Sequence, residues 1–403
     1  MHQHAICEKR RGAANVKIII ACDSYKGCMS SKEVAEHMKR AIRRVDPSIE
    51  VLAYTMADGG EGTSAAFCDV CGGEMVSCAT TDAYGRRIRA RYALIDEGRT
   101  AVIEAAAAIG LTMVPREKRN PMTASSYGVG TMLLDAQKRG CQRVIIGLGG
   151  SGTNDGGMGL LQSLGVRFYD ASHKYLSPQA VNLEKVRYID FNRLNRLEGL
   201  ELIVACDVKN HLLGEKGATY TFGRQKGLYP NQLERLDRAM HNYRDQIRRY
   251  RKVDLDSFEG GGAAGGIGAV LIGLLGAQMY PGIELLLSYS SLAREAADCD
   301  LLITGEGQSD AQTMFGKVPA GIAQIAKTAD KPIICISGAL GLGYEQLYDL
   351  GFIGIFSIAD RAMTFPQALQ LAPEKLEAAT YSILRMFHHL SRDEKRGHSI
   401  LHP

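Results

Sequence analysis

The fold-deciding stretch runs from Arg143 to Gly159, where Val144-Ile145-Ile146 lead directly into Gly147-Leu148-Gly149-Gly150-Ser151-Gly152-Thr153-Asn154-Asp155-Gly156-Gly157. The short apolar run predicts a buried strand that ends at a glycine-rich loop. Glycines let the backbone approach a ligand closely and direct several N–H groups into one concavity, which suits phosphate. Because Asp155 would repel phosphate, the loop also predicts a metal ion or a substrate proton to be removed. Together these features point toward phosphoryl transfer.

Length and composition are those of a globular chain with room for two domains. The 403 residues exceed the size of a typical single hydrophobic core. Hydrophobic residues make up 45% and charged residues 23%, as in ordinary globular proteins. The formal net charge is only +4. We therefore expect no nucleic-acid partner.

Three features predict a cytoplasmic protein. No apolar run is long enough to span a membrane, so no membrane partner is expected. Residues 1–15 lack the apolar core of a secretion signal and are expected to form a disordered extension. Most of the ten cysteines lie in apolar segments, which is the usage of a reduced compartment. The pair Cys68 and Cys71 has no second pair or nearby histidine, which favours packing over a zinc site.

Strand and helix patterns alternate at both ends of the chain, which predicts an α/β fold with a largely parallel sheet. Lys17 to Ala21 is a predicted strand, and Ser30 to Glu33 is a capping box that opens a helix. The segment from Tyr84 to Glu104 instead predicts antiparallel strands. A long helix is predicted from Asn231 to Tyr250, and a terminal helix from Pro373 to about Leu390.

The pattern from the first half resumes at Asp300, which predicts a discontinuous domain built from both chain ends. We assign residues 16–78 and 292–390 to this parallel-sheet domain. Residues 79–291 form an inserted second α/β domain, and residues 391–403 form a tail.

Five loops share one design, in which an apolar run is followed by glycine together with acidic or polar residues. In α/β sheets, ligands collect at the carboxyl ends of strands, so these loops are predicted to converge on one cleft. A single loop of this kind is commonly a tight turn with a helix N-cap, but five together favour a site. The loops are Asp23–Gly27, Asp58–Thr63, Gly147–Gly157, Asp207–Asn210 and Thr304–Asp310. A sixth loop, Gly260 to Gly266, opens a helix and has no carboxylate.

Two alternatives to phosphoryl transfer remain open at this point. Gly147, Gly149 and Gly152 satisfy G-x-G-x-x-G, and Asp170 ends a strand-like segment about where a dinucleotide fingerprint needs an acidic residue. An NAD-dependent hydroxy-acid oxidoreductase is therefore the second hypothesis. A non-catalytic nucleotide- or sugar-acid-binding regulator is the third. The chain has no P-loop motif and no protein-kinase motif set.

The ordered motifs resemble those of the bacterial-type glycerate kinase family. They are Lys17-Ile-Ile-Ile-Ala-Cys-Asp-Ser-Tyr-Lys-Gly27, Ala57-Asp-Gly-Gly-Glu-Gly-Thr63, Gly149-Gly-Ser-Gly-Thr-Asn-Asp-Gly-Gly157, Ala205-Cys-Asp-Val-Lys-Asn210 and Thr304-Gly-Glu-Gly-Gln-Ser-Asp310 with Gly316-Lys317. The resemblance implies a Rossmann-like domain with a second α/β domain inserted. It also implies ATP-dependent, Mg²⁺-assisted phosphorylation of D-glycerate in glyoxylate or sugar-acid catabolism. The product would most often be 2-phosphoglycerate and otherwise 3-phosphoglycerate.

Phosphoryl transfer needs a carboxylate near the accepting hydroxyl, Mg²⁺ on the phosphates, and cationic or N–H donors to the moving group. We assign Asp207 as the leading hypothesis for the general base, because it ends a strand and its immediate neighbours include no other acidic residue. Asp155 is a candidate for base or metal ligand, and Lys26 is a candidate catalytic cation. The predicted Mg²⁺ ligands are Asp58, Glu61 and Asp310.

The remaining candidates would bind phosphate or the glycerate carboxylate through backbone N–H groups and polar side chains. They are Asp23, Ser24, Gly59, Gly60, Gly149, Gly150, Ser151, Thr153, Asn154, Asn210, Gly261, Gly262, Gly305, Glu306 and Lys317. The expected small-molecule partners are D-glycerate, ATP and Mg²⁺, and the sequence leaves a homodimer open.

Overall fold

The computed structural model describes residues 16–314 and 316–395, without the side chains of residues 391–395. The predicted extension over residues 1–15 and the end of the predicted tail, residues 396–403, lie outside the described residues. The described chain alternates strands with helices, which confirms the predicted α/β class.

The strands follow the apolar runs of the sequence closely. They are β1 Lys17–Cys22, β2 Glu50–Thr55, β3 Glu74–Thr81, β4 Arg87–Ile95, β5 Thr100–Glu104, β6 Arg143–Gly147, β7 Arg167–Tyr169, β8 Tyr188–Asp190, β9 Glu201–Ala205, β10 Gln278–Tyr280, β11 Leu301–Thr304, β12 Gln308–Ser309, β13 Ile333–Ser337, β14 Ala339–Leu340 and β15 Phe352–Ser357.

Several of the helices begin after a serine or a glycine. They are α1 Ser31–Val45, α2 Thr63–Cys71, α3 Ala106–Ile109, α4 Tyr127–Lys138, α5 Met158–Ser163, α6 Ala218–Phe222, α7 Pro230–Arg251, α8 Ile267–Leu275, α9 Gly282–Ser288, α10 Leu292–Ala296, α11 Val318–Ala329 and α12 Phe365–Lys395. The capping box at α1 is confirmed, since Ser30 Oγ accepts from the Glu33 N–H and Glu33 accepts from the Ser30 N–H. Within the described residues, no helix has the length and apolar character of a membrane span.

The first of two compact units contains the described residues up to Tyr54, Leu292–Ala311, and the described residues from Ile322 onward. Its sheet has the strand order β15-β13-β11-β1-β2. The pairs β1–β11, β11–β13 and β13–β15 are parallel. Helices α1 and α12 pack on each other. The loops that follow β1 and β11 therefore lie side by side at one sheet edge.

The second unit contains Thr55–Ser291 and Gln312–Gly321. Its sheet has the order β10-β9-β6-β5-β4-β3. The pairs from β10 to β5 are parallel, whereas β5–β4 and β4–β3 are antiparallel, which confirms the antiparallel layer predicted between Tyr84 and Glu104. The long helix α7 buries the predicted stripe of Leu233, Leu236, Met240, Tyr243 and Ile247.

The unit boundary differs from the one drawn from sequence. Strand β3 pairs with β4 along its whole length, and α2 packs against β4 and β5, so residues 55–78 belong to the second unit. The second unit also takes Gln312–Gly321, which the predicted 292–390 segment included. The switch from one unit to the other lies in the loop after β2, where the composition changes little.

The surroundings of the glycine loop do not match a dinucleotide-binding fold. Helix α5 after the loop has only six residues. Strand β7, which precedes Asp170, pairs antiparallel with β8 in a separate two-stranded sheet. A dinucleotide fingerprint needs the glycine loop to open a helix that leads back into the same parallel sheet. The G-x-G-x-x-G spacing is thus coincidental here.

The terminal helix begins earlier than predicted, at Phe365 rather than Pro373. A proline inside a helix has no N–H for the carbonyl four residues earlier, which here is that of Leu369. The Cys28 thiol donates to the Leu369 carbonyl oxygen at 3.1 Å. This contact satisfies the orphaned carbonyl, so the helix continues through the proline.

Candidate active site

The carboxyl ends of four neighbouring strands in the second unit meet at one edge of its sheet. Strands β5, β6, β9 and β10 run parallel. They lead into Ala105, the glycine loop after Gly147, Cys206-Asp207 and Pro281-Gly282. Two of the loops predicted to form the site therefore share this edge, as ligand-binding loops of α/β sheets do.

The Asp58–Gly60 segment lies on the same edge. The Gly149 N–H donates to the Gly59 carbonyl oxygen at 3.2 Å. Gly59 has a φ of +86°, and a Cβ placed on it would lie 2.6 Å from the carbonyl oxygen of Ala205. Only glycine tolerates both the left-handed backbone and this close approach. The loop is thereby fixed against the ends of β6 and β9.

Asp58 and Asp207 are brought together at this edge. The Gly282 N–H donates to Asp207 Oδ1 at 3.1 Å, and the Gly60 N–H donates to Asp58 Oδ1 at 3.1 Å. Burial, together with the negative charges of Asp207 and Asp58, raises the pKa of the Cys206 thiol to about 12. Both carboxylates are therefore close enough to act on one thiol, and both are partly exposed.

The segment that carries Lys317 passes over Asp207. Gly316 has a φ of +88°, and a Cβ placed on it would lie 3.3 Å from Asp207 Oδ1. Lys317, a predicted ligand for phosphate or the glycerate carboxylate, and Asp207, the predicted base, thus belong to adjoining segments of the same unit.

The glycine loop offers backbone donors at its outer turn. The N–H groups of Gly149 and Gly152 are taken by the Gly59 and Ile109 carbonyls. Within the described residues, the N–H groups of Gly150 and Ser151 donate no hydrogen bond. Gly150 is exposed and has a φ of +70°. These two donors suit an anion, as predicted for this loop.

Asp155, predicted as a base or metal ligand, instead organises the loop from within. Its side chain is fully buried and accepts from Ser126 N and Oγ at 2.7 and 2.8 Å, Gly159 N at 3.1 Å, and Gly157 N at 3.3 Å. Burial raises the pKa of Asp155, and the hydrogen bonds from Ser126 and Gly159 oppose that rise. Four donors around a buried carboxylate favour a structural role over proton abstraction.

Two predicted asparagine ligands also serve the fold. The Asn154 amide is buried and donates to Thr219 Oγ1 at 3.0 Å. The Asn210 amide donates to the Lys216 carbonyl oxygen at 2.7 Å and closes its own loop. Their contacts favour positioning of the loops over direct binding of substrate.

The N–H groups of Gly261 and Gly262 are hydrogen-bonded within the fold. The Gly261 N–H donates to the Phe258 carbonyl at 3.0 Å, and the Gly262 N–H donates to the Asn210 carbonyl at 2.9 Å. The phosphate-binding role predicted for these two glycines is therefore wrong in its mechanism. Glycine is needed here for close packing, since a Cβ on Gly265 would collide with the Thr153 carbonyl oxygen.

A second group of predicted residues gathers in the first unit. The Asp23 N–H donates to the Gly305 carbonyl oxygen at 2.8 Å, and the Ser24 N–H donates to Asp23 Oδ1 at 2.7 Å. Glu306 is buried and accepts from Ser309 Oγ at 3.1 Å. Lys26 is exposed, and a Cβ placed on Gly307 would lie 3.3 Å from the backbone nitrogen of Lys26. Asp310 accepts from Gln308 Nε2 at 3.4 Å.

The donor set suits a metal ion that is shared with substrate. Within the described residues, no group of three or more His, Cys, Asp or Glu side chains is arranged to hold a metal. The predicted set of Asp58, Glu61 and Asp310 is therefore not a preformed three-carboxylate site. Mg²⁺ in phosphoryl-transfer sites is commonly held by one or two carboxylates together with phosphate oxygens and water. The neighbouring carboxylates of Asp58 and Asp207 fit that requirement.

Two residues that were not predicted from the sequence hold the loops at this edge, the half-buried Glu104 and the buried Lys226. Glu104 ends β5 and accepts from the Ser64 N–H at 2.7 Å, which holds the start of α2 beside the Asp58 loop. Its place at the end of a strand is the signal that would have found it. Lys226 is 3% exposed, and its Nζ donates to the Thr153 carbonyl oxygen at 2.7 Å. Nothing in its local sequence marks it as buried.

Comparisons with known proteins agree along nearly the whole chain. The model of the glycerate kinase family matches residues 18–388. The chain is 40% identical to glycerate kinase from Bacillus subtilis (strain 168) and 38% identical to glycerate 2-kinase from Escherichia coli (strain K12). Each alignment covers 91% of this chain and 97% of the relative. A solved structure from Salmonella typhimurium LT2, provisionally named glycerate kinase 2, is 40% identical, has a TM-score of 0.79, and is matched over 94% of this chain and 100% of that one.

Proposed function

The chain belongs to the glycerate kinase family and is a glycerate kinase, and from this premise we propose that it transfers the terminal phosphoryl group of ATP to the 2-hydroxyl of D-glycerate with Mg²⁺ as cofactor. The observation that carries the proposal is the pairing of Asp58 and Asp207 on the sheet edge that also holds the Gly150 and Ser151 N–H groups. Phosphoryl transfer requires a carboxylate that accepts the proton, a carboxylate that holds the metal ion, and hydrogen-bond donors for an anionic oxygen.

Asp207 acts as the general base in this proposal. The Gly282 N–H fixes Asp207 Oδ1, so the carboxylate is oriented before substrate arrives. It takes the proton of the accepting hydroxyl as the oxygen bonds to phosphorus. Lys317, on the segment that passes over Asp207, supplies positive charge to the substrate carboxylate or to the transferred group.

Asp58 would hold Mg²⁺, and Glu61 of the same loop would supply a second carboxylate. When bound, Mg²⁺ neutralises charge on the phosphates of the nucleotide and orients them. The exposed Glu61 and the partly exposed Asp58 remain accessible to a hydrated ion, which Mg²⁺ prefers. The Gly150 and Ser151 N–H groups bind an anionic oxygen of the substrates.

The choice of the 2-hydroxyl is supported by the relative from Escherichia coli named glycerate 2-kinase. Phosphorus NMR of the product formed from ATP and D-glycerate tests it. The phosphorus of 2-phosphoglycerate couples to one carbon-bound proton and gives a doublet, whereas that of 3-phosphoglycerate couples to two and gives a triplet. A triplet would overturn the regiochemistry, and the absence of any glycerate-dependent product would overturn the activity.

We also infer that the enzyme works in the cytoplasm, in the metabolism of glyoxylate and related acids. The cysteines of the described residues are free thiols, which agrees with a reduced compartment.

A further inference from the structure

Lys226 is a buried cation directly attached to the glycine loop. It lies between α6 and α7 and is 3% exposed. Its Nζ donates to the Thr153 carbonyl oxygen at 2.7 Å and to Ser151 Oγ at 3.4 Å. The second contact is long for a hydrogen bond. Lys226 therefore fixes the inner side of the loop whose outer turn carries the unpaired N–H groups of Gly150 and Ser151.

The charge of Lys226 is poorly compensated. Within the described residues, no carboxylate lies within 4.0 Å of its Nζ, and the ammonium uses two of its three donors. Burial lowers the pKa of Lys226 to about 8, and the negative charge of Asp155 opposes that shift. A buried ammonium without a carboxylate partner destabilises a fold. Such groups recur at functional sites, where a ligand completes them.

The neighbouring polar atoms are also incompletely bonded. Thr153 Oγ1 and Asn154 Oδ1 are buried and have no hydrogen-bond partner among the described residues. Buried polar atoms of this kind are rare in folded proteins, and they commonly mark a missing ligand or water. These groups lie close together: the Thr153 and Ser151 hydroxyls belong to one short loop, and the Lys226 ammonium is hydrogen-bonded to that loop.

We propose that Lys226 is a positioning residue for the anionic group of a substrate at the glycine loop. Its ammonium fixes the Thr153 carbonyl and places one positive charge beside the loop, so that an anion is held by this charge together with the Gly150 and Ser151 N–H groups. The anion is the carboxylate of the acceptor or a phosphate of the nucleotide. This inference rests on the proposed function for its substrates.

Substitution of Lys226 tests the proposal in the full-length enzyme. Lys226→Met keeps most of the length of the side chain and removes the charge, and Lys226→Arg keeps the charge. Lys174→Met removes an exposed lysine of the same unit as a matched control. We expect Lys226→Met to lower kcat/KM by about 100-fold, as loss of one donor in an electrostatic site does, with a melting temperature no lower than that of wild type. Lys226→Arg should restore about tenfold of that loss, and Lys174→Met should behave as wild type.

The separate values of KM and kcat for Lys226→Met identify the anion that is bound. A rise in KM for D-glycerate alone assigns Lys226 to the acceptor carboxylate, and a rise in KM for MgATP or a fall in kcat alone assigns it to a phosphate. Activity of Lys226→Met within about threefold of wild type would overturn the proposal. Equal losses in the Met and Arg variants with a lowered melting temperature would also overturn it, because they indicate packing alone.

Proton uptake tests the proposal without any variant. At pH 8, near its pKa, Lys226 is about half protonated, and a bound anion favours the protonated form. Calorimetric titration of wild type with D-glycerate, and separately with sulfate, in buffers of different ionisation enthalpy should show roughly half a proton taken up per anion. Binding of both anions without proton uptake would overturn the proposal, and this measurement decides the matter if Lys226→Met does not fold. Failure of glycerate-dependent ADP release by wild type would refute the proposed function alone, since the sulfate titration does not depend on it.

Discussion

Asp58 and Asp207 are tied to one glycine: the Gly282 N–H donates to Asp207 Oδ1 at 3.1 Å, and a Cβ on Gly282 would lie 2.5 Å from the carbonyl carbon of Asp58. The two carboxylates come from loops separated by about 150 residues of sequence. Asp207 follows β9, whereas β2, which precedes Asp58, belongs to the other sheet, so the hydrogen bond from Gly149 to Gly59 and the packing of Gly282 bring Asp58 to this edge. Their proximity gives the site a proton acceptor and a cation ligand side by side.

Replacement of Asp207 by asparagine should abolish the proton-accepting function and keep the fold. The amide oxygen can still accept from the Gly282 N–H, so we expect little change in the free energy of unfolding. Turnover should fall about a thousandfold, within the range for loss of a general base. Steady-state release of ADP with saturating D-glycerate and ATP measures this. Glu198→Gln, at an exposed carboxylate of the same unit, is the control, and turnover of Asp207→Asn within about tenfold of wild type would refute the base assignment.

Replacement of Gly59 by alanine should misplace the Asp58 loop. The added Cβ would lie 2.6 Å from the Ala205 carbonyl, and the residue has a φ of +86°. Gly72→Ala is a matched control, because its φ of +69° is also left-handed while the space around it is open. We expect Gly72→Ala to cost about 1 kcal/mol of stability and to leave activity unchanged. Gly59→Ala should lose activity well beyond its loss of stability, and equal behaviour of the two variants would contradict this reading of the loop.

Removal of Mg²⁺ should stop the reaction, and Asp58 should govern how much Mg²⁺ restores it. After treatment with a chelator, titration of MgCl₂ against ADP release gives the concentration for half-maximal rate. We expect Asp58→Asn to raise that concentration by about tenfold or more, because one of few anionic ligands is lost. Glu61→Gln should have a smaller effect, and Asp310→Asn is the third arm. A larger effect at Asp310 than at Asp58 would reassign the metal site to the Thr304–Asp310 loop.

Asp155→Asn should destabilise the protein rather than change its chemistry selectively. The buried carboxylate accepts from four donors, and an amide presents an N–H₂ group to at least one of them. We expect a loss on the order of 3 kcal/mol in the free energy of unfolding, measured in urea. Asp170→Asn, at a half-buried carboxylate that accepts two turn N–H groups, is the control. Full stability of Asp155→Asn with loss of turnover would restore Asp155 to the catalytic group.

The positions of polar residues at the ends of strands could be predicted from the sequence, whereas the hydrogen-bond partners of these residues could not. Asp207 and the Gly150–Ser151 turn were predictable because parallel strands place their carboxyl ends at one edge, whatever their order in the chain. Asp58 reaches that edge through the contacts of Gly59, since β2 belongs to the other sheet. The buried role of Asp155 was not predictable, since its donors come from Ser126 and from the turn after it. Gly261 and Gly262 resembled a phosphate loop, but their N–H groups donate to the carbonyls of Phe258 and Asn210.

The sequence-based prediction of an element or of burial was wrong where a tertiary contact outweighed the local sequence signal. Pro373 is a strong helix breaker because it leaves the Leu369 carbonyl without its donor in the helix. Helix α12 nevertheless continues through it, because the Cys28 thiol donates to that carbonyl. Lys226 likewise has the sequence context of a surface lysine, in a polar segment before a helix. The continuation of α12 and the burial of Lys226 both depend on segments far away in the chain, which no local pattern contains.

The stability of the protein should depend on pH through Lys226. Its pKa of about 8 in the folded state lies below the value of 10.5 for an ordinary lysine. Between these two values the unfolded chain binds more protons than the folded one, so the free energy of unfolding should rise as the pH increases. The full contribution is on the order of 3 kcal/mol, and it should be absent in Lys226→Met. Urea unfolding at about pH 7.5 and pH 10 measures the change in each protein.

The difference between wild type and Lys226→Met isolates this residue from the tyrosines, cysteines and other lysines that titrate in the same range. Relative to Lys226→Met, wild type should be less stable near pH 7.5, where the buried ammonium is charged, and should approach the variant as the proton leaves. Lys174→Met should follow wild type at both pH values, since the exposed side chain has the same surroundings in the folded and unfolded states. If wild type and Lys226→Met change in parallel, the ammonium is compensated at neutral pH, and the need for an anion to complete the loop disappears with it.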